Sequence, residues 1–319
     1  MLKFYIPDRN YNRSSARLRG KIPSDNSGGK VASSLHELTD KDVVVFSKVS
    51  SVEDIHYALN NNIKFIFDIC DDKFDPVKFK RFSELFKLAP YKCNLITVPS
   101  ERMKEVVIQK SKTDKEVFVI TDPYERPTKK PTVNIDGKIK LGFFGQNANF
   151  IFTPWEKIIS KLEEKCIDFE IHAVTNTMKK SFEQFKFRHP KLKIHTWSFD
   201  IQTKVLDSCD MILSPVYNNT ESSVTASDIS YKSENRVVEA INAGKFVVTN
   251  YGIDSYMNLK EFIHIDHPNK LIDGVIWAIE NPKERLQKVT AGQEYVKNNF
   301  SPECIGKTWL NACDYVRMN

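Results

Sequence analysis

The sequence has no long hydrophobic run. No stretch of its 319 residues approaches the roughly 20 apolar residues that a helix needs to span a bilayer. The opening residues, MLKFYIPDRN, lack the hydrophobic centre of a signal peptide and are interpreted as a first buried strand. The six cysteines form no CxxC pair and have no histidine cluster nearby, which argues against a metal site and is typical of reduced, buried thiols. These absences predict a cytoplasmic globular protein without a transmembrane segment.

The second half of the chain has no charge excess, so the net charge of +6 comes entirely from the first half. Residues 1–135 carry 24 Lys and Arg against 18 Asp and Glu, whereas residues 136–319 carry 23 of each. A basic first half predicts an acidic partner, such as a phosphate, a nucleic acid or an anionic glycan. The alternative is a solvated loop with a mild charge bias. Within the first 30 residues the cations include Arg17 and Arg19.

Short β-branched or aromatic runs alternate with helical patterns along the whole chain, which indicates parallel sheets covered by helices on both faces. The predicted strands of the first half are 3–7, 43–47, 64–69, 94–98 and 117–121, with helices near 29–38, 52–61, 76–89 and 100–111. The predicted strands of the second half are 140–145, 169–174, 193–197, 211–216, 245–250 and 262–266, with helices near 153–165, 177–187, 201–208 and 234–243.

A proline-rich stretch without apolar periodicity separates the two halves and is interpreted as a linker. The sequence therefore predicts an α/β protein of two doubly wound, Rossmann-like domains facing a cleft, followed by a helical C-terminus. The boundaries are 1–125 for the first domain, 126–138 for the linker, 139–300 for the second domain and 301–319 for a C-terminal helix that packs back on the first domain.

Ligands of such folds lie outside the carboxyl ends of the strands. In the second half these ends carry Gly145-Gln146-Asn147, Trp197-Ser198 and Ser214-Pro215, the last followed by a long polar loop over 217–231. Glycine permits close backbone approach to a ligand, an aromatic face suits a nucleotide base, and long loops are usually functional or mobile. A tight turn and a core aromatic are the alternatives.

The segment from Lys232 to Asn250 contains a second pattern, in which Lys232, Asn235, Arg236 and Glu239 cluster around the start of a predicted helix. A helix N-terminus favours anions, because its unbonded N–H groups and the positive dipole end point the same way. Two cations there suit a diphosphate, and a carboxylate one turn further on suits ribose hydroxyls. The alternative is a plain surface helix.

Two features of the first half complete the set of candidates. Gly28 and Gly29 are expected to precede a helix and to present amides to an anion. Asp71 and Asp72 end a predicted strand, where one of them could act as a base or orient an acceptor hydroxyl. An N-cap role is the alternative for either carboxylate.

With these residues in place, the chain resembles the GT-B glycosyltransferases, particularly the retaining glycosyltransferase family 4. The resemblance covers nearly the whole chain, and EAINAGKFVVTN at 239–250 is its most specific segment. Tyr231 stands where the family has the first of two paired glutamates, Glu234 is the candidate replacement, and Phe246 replaces a proline. The other matching places are Gly28-Gly29, FDICDD ending in Asp71-Asp72, LGFFG at 141–145 and CDMILSPV at 209–216.

The resemblance implies a retaining transfer from a nucleoside-diphosphate sugar, without a metal or another cofactor. It implies that Glu239 holds the ribose, that Trp197 and Ser198 hold the base, and that the acceptor passes Arg17, Arg19 and Asp71 or Asp72. The groups implied around the diphosphate are Lys232, Asn235, Arg236 and the Gly28-Gly29 amides.

The acceptor stays open at this point. A glycan or lipid-linked glycan and a hydroxylated base in DNA, as in phage enzymes, both suit a basic first half, since phosphate contacts supply most of the affinity for nucleic acid. Because a fold alone does not confer activity, a non-catalytic nucleotide-sugar binding protein and an epimerase remain alternatives.

Overall fold

Two parallel β-sheets organise the chain, one in each of two compact units. A computed structural model describes residues 1–47, 50–132, 137–178, 180–183, 185–217 and 229–319. Most of the predicted loop over 217–231 and part of the predicted linker therefore lie outside the described residues. The first unit contains Met1–Glu125, Tyr231–Ser233 and Asn298–Asn319, and the second contains Arg126–Ser230 and Glu234–Lys297.

The first sheet has the strand order β2-β1-β3-β4-β5-β6, and all its neighbouring strands are parallel. Its strands are β1 Leu2–Tyr5, β2 Lys30–Ala32, β3 Val43–Ser47, β4 Lys64–Asp68, β5 Leu95–Val98 and β6 Val117–Val119. The longer helices of this unit are Val52–Asn60, Ser83–Lys92, Glu101–Ser111 and Pro302–Met318. Short helical segments cover Ser14–Ala16, Arg17–Lys21, Ile22–Asn26, Leu35–Glu37 and Lys80–Phe82.

The second sheet has the order β12-β11-β10-β7-β8-β9 and is also parallel throughout. Its strands are β7 Ile139–Phe144, β8 Phe169–Thr175, β9 Leu192–Thr196, β10 Met211–Leu213, β11 Phe246–Asn250 and β12 His264–Asp266. Its helices are Asn147–Phe152, Trp155–Glu164, Lys180–Glu183, Phe199–Ser208, Asn235–Asn242 and Leu271–Glu280, with short turns at Asp254–Leu259 and Pro268–Lys270. The helix Pro282–Phe300 starts in this unit, and its last residues are counted with the first.

Burial on both faces explains why the strands have continuous apolar runs. In the first unit, one face of the sheet packs against the C-terminal helix, whose Trp309 is fully buried and makes an edge-to-face contact with Phe4 at 5.3 Å between ring centroids. In the second unit, Phe143, Phe150 and Trp155 form an aromatic group in the main core. Parallel strands bring their carboxyl ends to one edge of each sheet, and this edge positions the candidate sites.

Candidate functional site

The order of the second sheet reverses between β7 and β10. Strands β7, β8 and β9 run to one side in chain order, whereas β10, β11 and β12 run to the other. Gly145 directly follows β7 and Ser214 directly follows β10, and the two strands are neighbours with Leu213 paired to Phe143. In open α/β sheets, ligands bind at this reversal point, outside the carboxyl ends of the strands. Gly145 and Ser214 therefore flank the expected ligand position of this unit.

The side chain of Arg236 lies against the backbone of Gly145. A Cβ atom added at Gly145 would lie only 2.7 Å from Nη1 of Arg236. This Nη1 is buried and has no hydrogen-bond partner among the described residues. A guanidinium has five N–H donors, and buried donors normally find an acceptor, which makes this position ready for an anionic ligand.

Two further polar atoms at the same edge lack a partner within the described part of the chain. They are Oγ of Ser214, whose residue is 1% exposed, and the hydroxyl of Tyr217. Burial raises the pKa of Tyr217 to about 12, so this phenol stays a neutral donor at physiological pH. The amide of Tyr217 donates to Oδ1 of Asn149 at 3.2 Å, which links the segment after β10 to the helix after β7.

The helix Asn235–Asn242 begins without a side-chain cap, at Glu234. Among the longer helices, four begin at a serine whose Oγ accepts an amide of the first turn (Ser51, Ser100, Ser198 and Ser301), whereas Trp155–Glu164 and Leu271–Glu280 also lack a side-chain cap. An N-terminus that lacks such a cap leaves its first N–H groups for other acceptors. Together with Arg236, this end of the helix suits a phosphate.

A methyl group at position 145 should test this arrangement. We expect Gly145→Ala to leave the stability nearly unchanged, because the atom it meets is the end of a flexible side chain. The same methyl must displace Arg236, so binding of the nucleoside diphosphate expected from the sequence should weaken about tenfold, which corresponds to one lost charged hydrogen bond. Thermal unfolding and calorimetric titration with nucleoside diphosphates would measure the two effects. Unchanged affinity would contradict the assignment of Arg236 to the ligand.

Glu239 forms a buried ion pair that the sequence did not indicate. Its Oε2 lies 2.9 Å from Nη1 of Arg126, and Nε of Arg126 donates to Thr203 Oγ1 at 2.9 Å. The guanidinium also stacks over Phe199, 4.3 Å from the ring centroid. Arg126 belongs to the stretch predicted as a linker. Its contacts show instead that its side chain is fixed within the second unit. The role of Glu239 at a ribose stays a prediction.

The remaining candidate residues of the second unit differ in their hydrogen-bond partners and in their burial. Ser198 caps the helix Phe199–Ser208 by accepting from the Ile201 amide at 3.2 Å, and Nε1 of Trp197 donates to Gln202 at 2.8 Å. Gln146 is exposed, whereas Asn147, Pro215 and Glu234 are buried and Asn235 is half-buried. Their contacts with a ligand stay predictions.

Lys232 pairs with Asp71 inside the first unit. The two residues are 161 positions apart in the chain. The sequence predicts Lys232 instead beside the start of the helix Asn235–Asn242. Burial acts to lower the pKa of Lys232, but the attraction and hydrogen bond of Asp71, together with the effects of Tyr231 and Cys70, outweigh it, so the pKa is raised and the side chain stays charged. Two hydrogen bonds hold the segment Tyr231–Ser233 in the first unit. Ser100 Oγ donates to the Tyr231 carbonyl at 2.6 Å, and Ser233 Oγ donates to Asp122 at 2.6 Å.

Asp72 has a different set of partners from Asp71. It forms an ion pair with Lys110 and accepts from the Phe74 amide at 3.3 Å. The two consecutive carboxylates therefore diverge, as neighbouring side chains usually do. Asp71, beside Lys232, is the better placed of the two for a catalytic role, which stays a prediction.

The expectation that Gly28 and Gly29 precede a helix is wrong. Both follow the helix Ile22–Asn26 and precede strand β2, where Gly28 has a left-handed φ of 67°. A Cβ at Gly29 would lie 2.9 Å from the Leu2 carbonyl oxygen, where β1 begins. The pair therefore ends a helix at the amino edge of the sheet, opposite the carboxyl ends of the strands, as glycines after helices commonly do. It cannot present amides to an anion at the edge where ligands bind.

The expectation that Arg19 contacts an acceptor is also wrong, because its side chain is part of the core. Arg19 is 3% exposed, and Nη2 lies 2.5 Å from Oδ1 of Asp68, while Nη1 donates to the Ile120 carbonyl and lies 3.4 Å from Asp122. The guanidinium also lies 5.2 Å from the Trp309 ring centroid. The pKa of Arg19 is raised because the attraction of Asp68 and Asp122 outweighs burial, whereas burial raises the pKa of Asp122.

Arg17 is half-buried in the same unit and is held by ionic and hydrogen-bond contacts. It makes a forked ion pair with Glu125, in which Nη2 lies 3.1 Å from Oε1, and Nη1 donates to the Tyr11 carbonyl at 2.6 Å. An acceptor contact of Arg17 stays a prediction. Among the described residues, no helix is long and apolar enough to cross a bilayer, and no three His, Cys, Asp or Glu side chains are grouped as metal ligands would be.

Solved structures share this architecture, although no protein-family model and no curated protein sequence matches the chain. HepE from Anabaena, in complex with UDP and glucose, superposes with a TM-score of 0.70 at 13% identity, over 98% of this chain and 99% of HepE. The trehalose 6-phosphate synthase of Burkholderia multivorans gives a TM-score of 0.63 at 7% identity, over 90% of this chain and 73% of the synthase.

TarM gives a TM-score of 0.63 at 15% identity over 86% of this chain, which spans 55% of the TarM chain. These neighbours are GT-B glycosyltransferases, and the chain has their fold of two parallel-sheet α/β domains with a helical C-terminus. The predicted fold class is therefore confirmed. Likeness at this level of identity establishes the fold.

Proposed function

We propose that the protein is a glycosyltransferase that moves a sugar from a nucleoside-diphosphate sugar to an acceptor hydroxyl. The observation that carries the proposal is the group at the reversal point of the second sheet. There, Nη1 of Arg236 lies against Gly145 and lacks a protein acceptor among the described residues, beside the uncapped start of the helix Asn235–Asn242. A diphosphate supplies the acceptors that this group needs.

The chemistry follows from the charge that develops during transfer. The bond between the anomeric carbon and the diphosphate oxygen breaks, the acceptor oxygen bonds to that carbon, and the hydroxyl proton goes to the departing diphosphate. Negative charge grows on the diphosphate as it leaves, so Arg236 and the helix amides act as electrostatic catalysts. The proposal includes retention of configuration and needs no metal ion.

The other roles come from the sequence and are part of the same proposal. Glu239 would bind the ribose, and Trp197 with Ser198 would bind the base. Lys232, charged beside Asp71, would be a catalytic group, and Asp71 would orient the acceptor. HepE was solved with UDP and glucose, which makes UDP-glucose the first donor to test.

The acceptor is proposed to be a glycan, a lipid-linked glycan or a hydroxylated base in DNA. The basic first half of the sequence supports an acidic acceptor in each case. A duplex with hydroxymethylated cytosine and a glycan panel would separate the two classes. Salt-independent binding to duplex DNA would count against the nucleic acid, because phosphate contacts are lost as salt rises.

Release of UDP from UDP-glucose, with and without acceptors, tests the proposed activity directly. We expect turnover that persists in excess EDTA, since the proposed stabilisation of the leaving group comes from protein cations. Loss of turnover on chelation, restored by Mg²⁺ or Mn²⁺, would refute the metal-independent form. Binding of all nucleotide sugars without turnover would favour a binding protein, and a product with an inverted ring carbon on the nucleotide would identify an epimerase.

A further inference from the structure

The strap, which is the segment Tyr231–Ser233, belongs to the first unit, although Ser230 before it and Glu234 after it are counted with the second. The strap forms neither helix nor strand, so no backbone ladder holds it in place. Ordering such a segment costs conformational entropy, which other contacts must offset. The position of the strap, and of Lys232 at its centre, therefore depends on side chains of the first unit.

Three neighbouring strands of the first sheet, β4, β5 and β6, supply the partners of the strap just after their carboxyl ends. The partners are Asp71, three residues after β4, Ser100, two residues after β5, and Asp122, three residues after β6. They contact Lys232, Tyr231 and Ser233, respectively. Because ligands of parallel sheets bind at this edge, the strap carries a cation to the ligand edge of the first sheet.

Tyr231 anchors the strap on both sides of the ion pair. It is 5% exposed and belongs to the core of the first unit, and Nζ of Lys232 lies 5.2 Å from its ring centroid. Burial raises the pKa of the Tyr231 phenol, against a hydrogen bond from the Asp72 backbone that acts to lower it. Since Asp72 directly follows Asp71, one side chain fixes both the residue before Lys232 and the chain beside its partner.

Asp122 gives Ser233 a partner that is itself held in the core. Asp122 is 8% exposed, and its Oδ1 lies 3.4 Å from Nη1 of Arg19, which also pairs with Asp68. Ser233 Oγ donates to the other oxygen, Oδ2, at 2.6 Å, a length typical of a hydroxyl bonded to a carboxylate. The end of the strap is therefore tied to a buried network of charges.

We propose that Tyr231, Ser100 and Asp122 are positioning residues, which hold the Lys232 ammonium beside Asp71. That this arrangement serves sugar transfer rests on the proposed function, in which Lys232 is a catalytic group; the arrangement itself does not. A lysine side chain has many rotamers, so a fixed strap removes much of the freedom that the catalytic group would otherwise have. A displacement of about 1 Å in a catalytic group can cost up to about 10²-fold in rate.

The covalent chain relates the strap to the proposed diphosphate site. Ser233 directly precedes Glu234, at which the helix Asn235–Asn242 begins. Lys232 is three residues before Asn235, and three residues of extended chain span at most about 11 Å. The anchors of the strap therefore act on a cation that is close in the chain to the helix end proposed to bind the diphosphate.

Acylation of lysines by acetic anhydride, read by mass spectrometry, tests the positioning without any substrate. We expect Lys232 to react slowly in the unaltered protein, because its pairing with Asp71 keeps the ammonium protonated. Tyr231→Phe and Ser233→Ala should each raise its rate about threefold relative to Lys87, an exposed lysine of the same unit, as expected for a weakened ion pair. Equal rates in the unaltered protein and in both variants would overturn the proposal.

Initial rates of transfer test whether the positioning serves the reaction. Tyr231→Phe, Ser100→Ala and Ser233→Ala should each lower kcat about tenfold and leave the KM for the donor unchanged, because the ammonium is misplaced while the nucleotide still binds. Ser233→Thr keeps the hydroxyl and should restore kcat. A purely structural strap would instead lower the unfolding temperature without this change in kcat.

Ser51→Ala is the matched control for Ser100→Ala. Both serines cap a helix of the first unit by accepting an amide, that of Asp54 at 3.2 Å or that of Met103 at 3.1 Å. Of the two, Ser100 also donates to the strap. Ser51→Ala should lower the unfolding temperature by a similar amount but leave kcat and the acylation of Lys232 unchanged. A loss of kcat in Ser51→Ala equal to that in Ser100→Ala would show a general effect of destabilisation and overturn the proposed role.

The two measurements let the positioning and the proposed function fail separately. If the unaltered protein turns over no nucleotide sugar, the transferase assignment falls, and acylation of Lys232 still decides whether the anchors position it. If acylation changes as expected but kcat in the three variants equals that of the unaltered protein, the part of the strap in transfer falls.

Discussion

Replacing Arg236 by alanine is expected to lower the rate of sugar transfer by about 10²–10³-fold, the usual cost of removing one donor from a developing negative charge. The reason is the position of the guanidinium, whose Nη1 is buried against Gly145 without a protein acceptor in the described residues. The charge on the leaving diphosphate is larger in the transition state than in the bound donor. The effect should therefore appear in kcat as well as in the affinity for UDP.

Arg236→Lys provides the matched comparison. It keeps the positive charge but loses the planar fork, so transfer should recover only in part. Neither variant should lower the unfolding temperature much, because the buried Nη1 makes no hydrogen bond that the fold would lose. Transfer by Arg236→Ala at the rate of the unaltered protein would refute the proposed diphosphate site.

Replacing Arg19 by methionine is expected to lower the free energy of unfolding by about 3–5 kcal/mol, the usual cost of removing one partner of a buried ion pair. Asp68 is fully buried and Asp122 is 8% exposed, so the substitution leaves two carboxylates in the core without their cation. Thr97 Oγ1 would still donate to Asp68 at 2.8 Å, which compensates only in part. Urea unfolding measures this loss of stability, provided that the m-value of the variant equals that of the unaltered protein.

Arg13→Met is the control for that measurement. Arg13 forms an ion pair with Asp8 at 2.8 Å, but both side chains are more than 40% exposed, so its removal should cost under about 1 kcal/mol. The loss in Arg19→Met should also shrink at acidic pH. Burial raises the pKa of Asp122, and without the opposing attraction of Arg19 the folded variant binds a proton there more tightly than the unfolded chain does, so the stability of the variant falls as pH rises. Equal losses in the two variants would refute a buried network.

The alternation of strands and helices could be predicted because it depends on local pattern. Strands such as Val43–Ser47 have uninterrupted apolar side chains, and the sequence placed them within a few residues. Strand β2 could not be found in this way, since Lys30–Ala32 has only three residues and owes its conformation to pairing with β1. The glycines before it looked like the start of a helix, and only this pairing shows that they end one.

The candidate site was predictable where it depends on strand ends and not where it depends on distant partners. Gly145 and Ser214 follow from the strand ends of a parallel sheet, and Arg236 follows from the start of a predicted helix; their contacts with a ligand stay predictions. The burial of Arg19 depends on Asp68 and Asp122, which lie 49 and 103 positions away. The pairing of Lys232 with Asp71 spans 161 positions, so no local pattern could indicate it.

The C-terminal helix has a consequence for how the protein is made. The first unit takes its last stretch, Asn298–Asn319, from the end of the chain, and Trp309 and Val316 are buried in the same core as Phe4. During synthesis, the N-terminal residues leave the ribosome long before these partners exist. This apolar sheet face therefore stays uncovered until residues 298–319 have been synthesised, and until then it is exposed to aggregation unless a chaperone covers it.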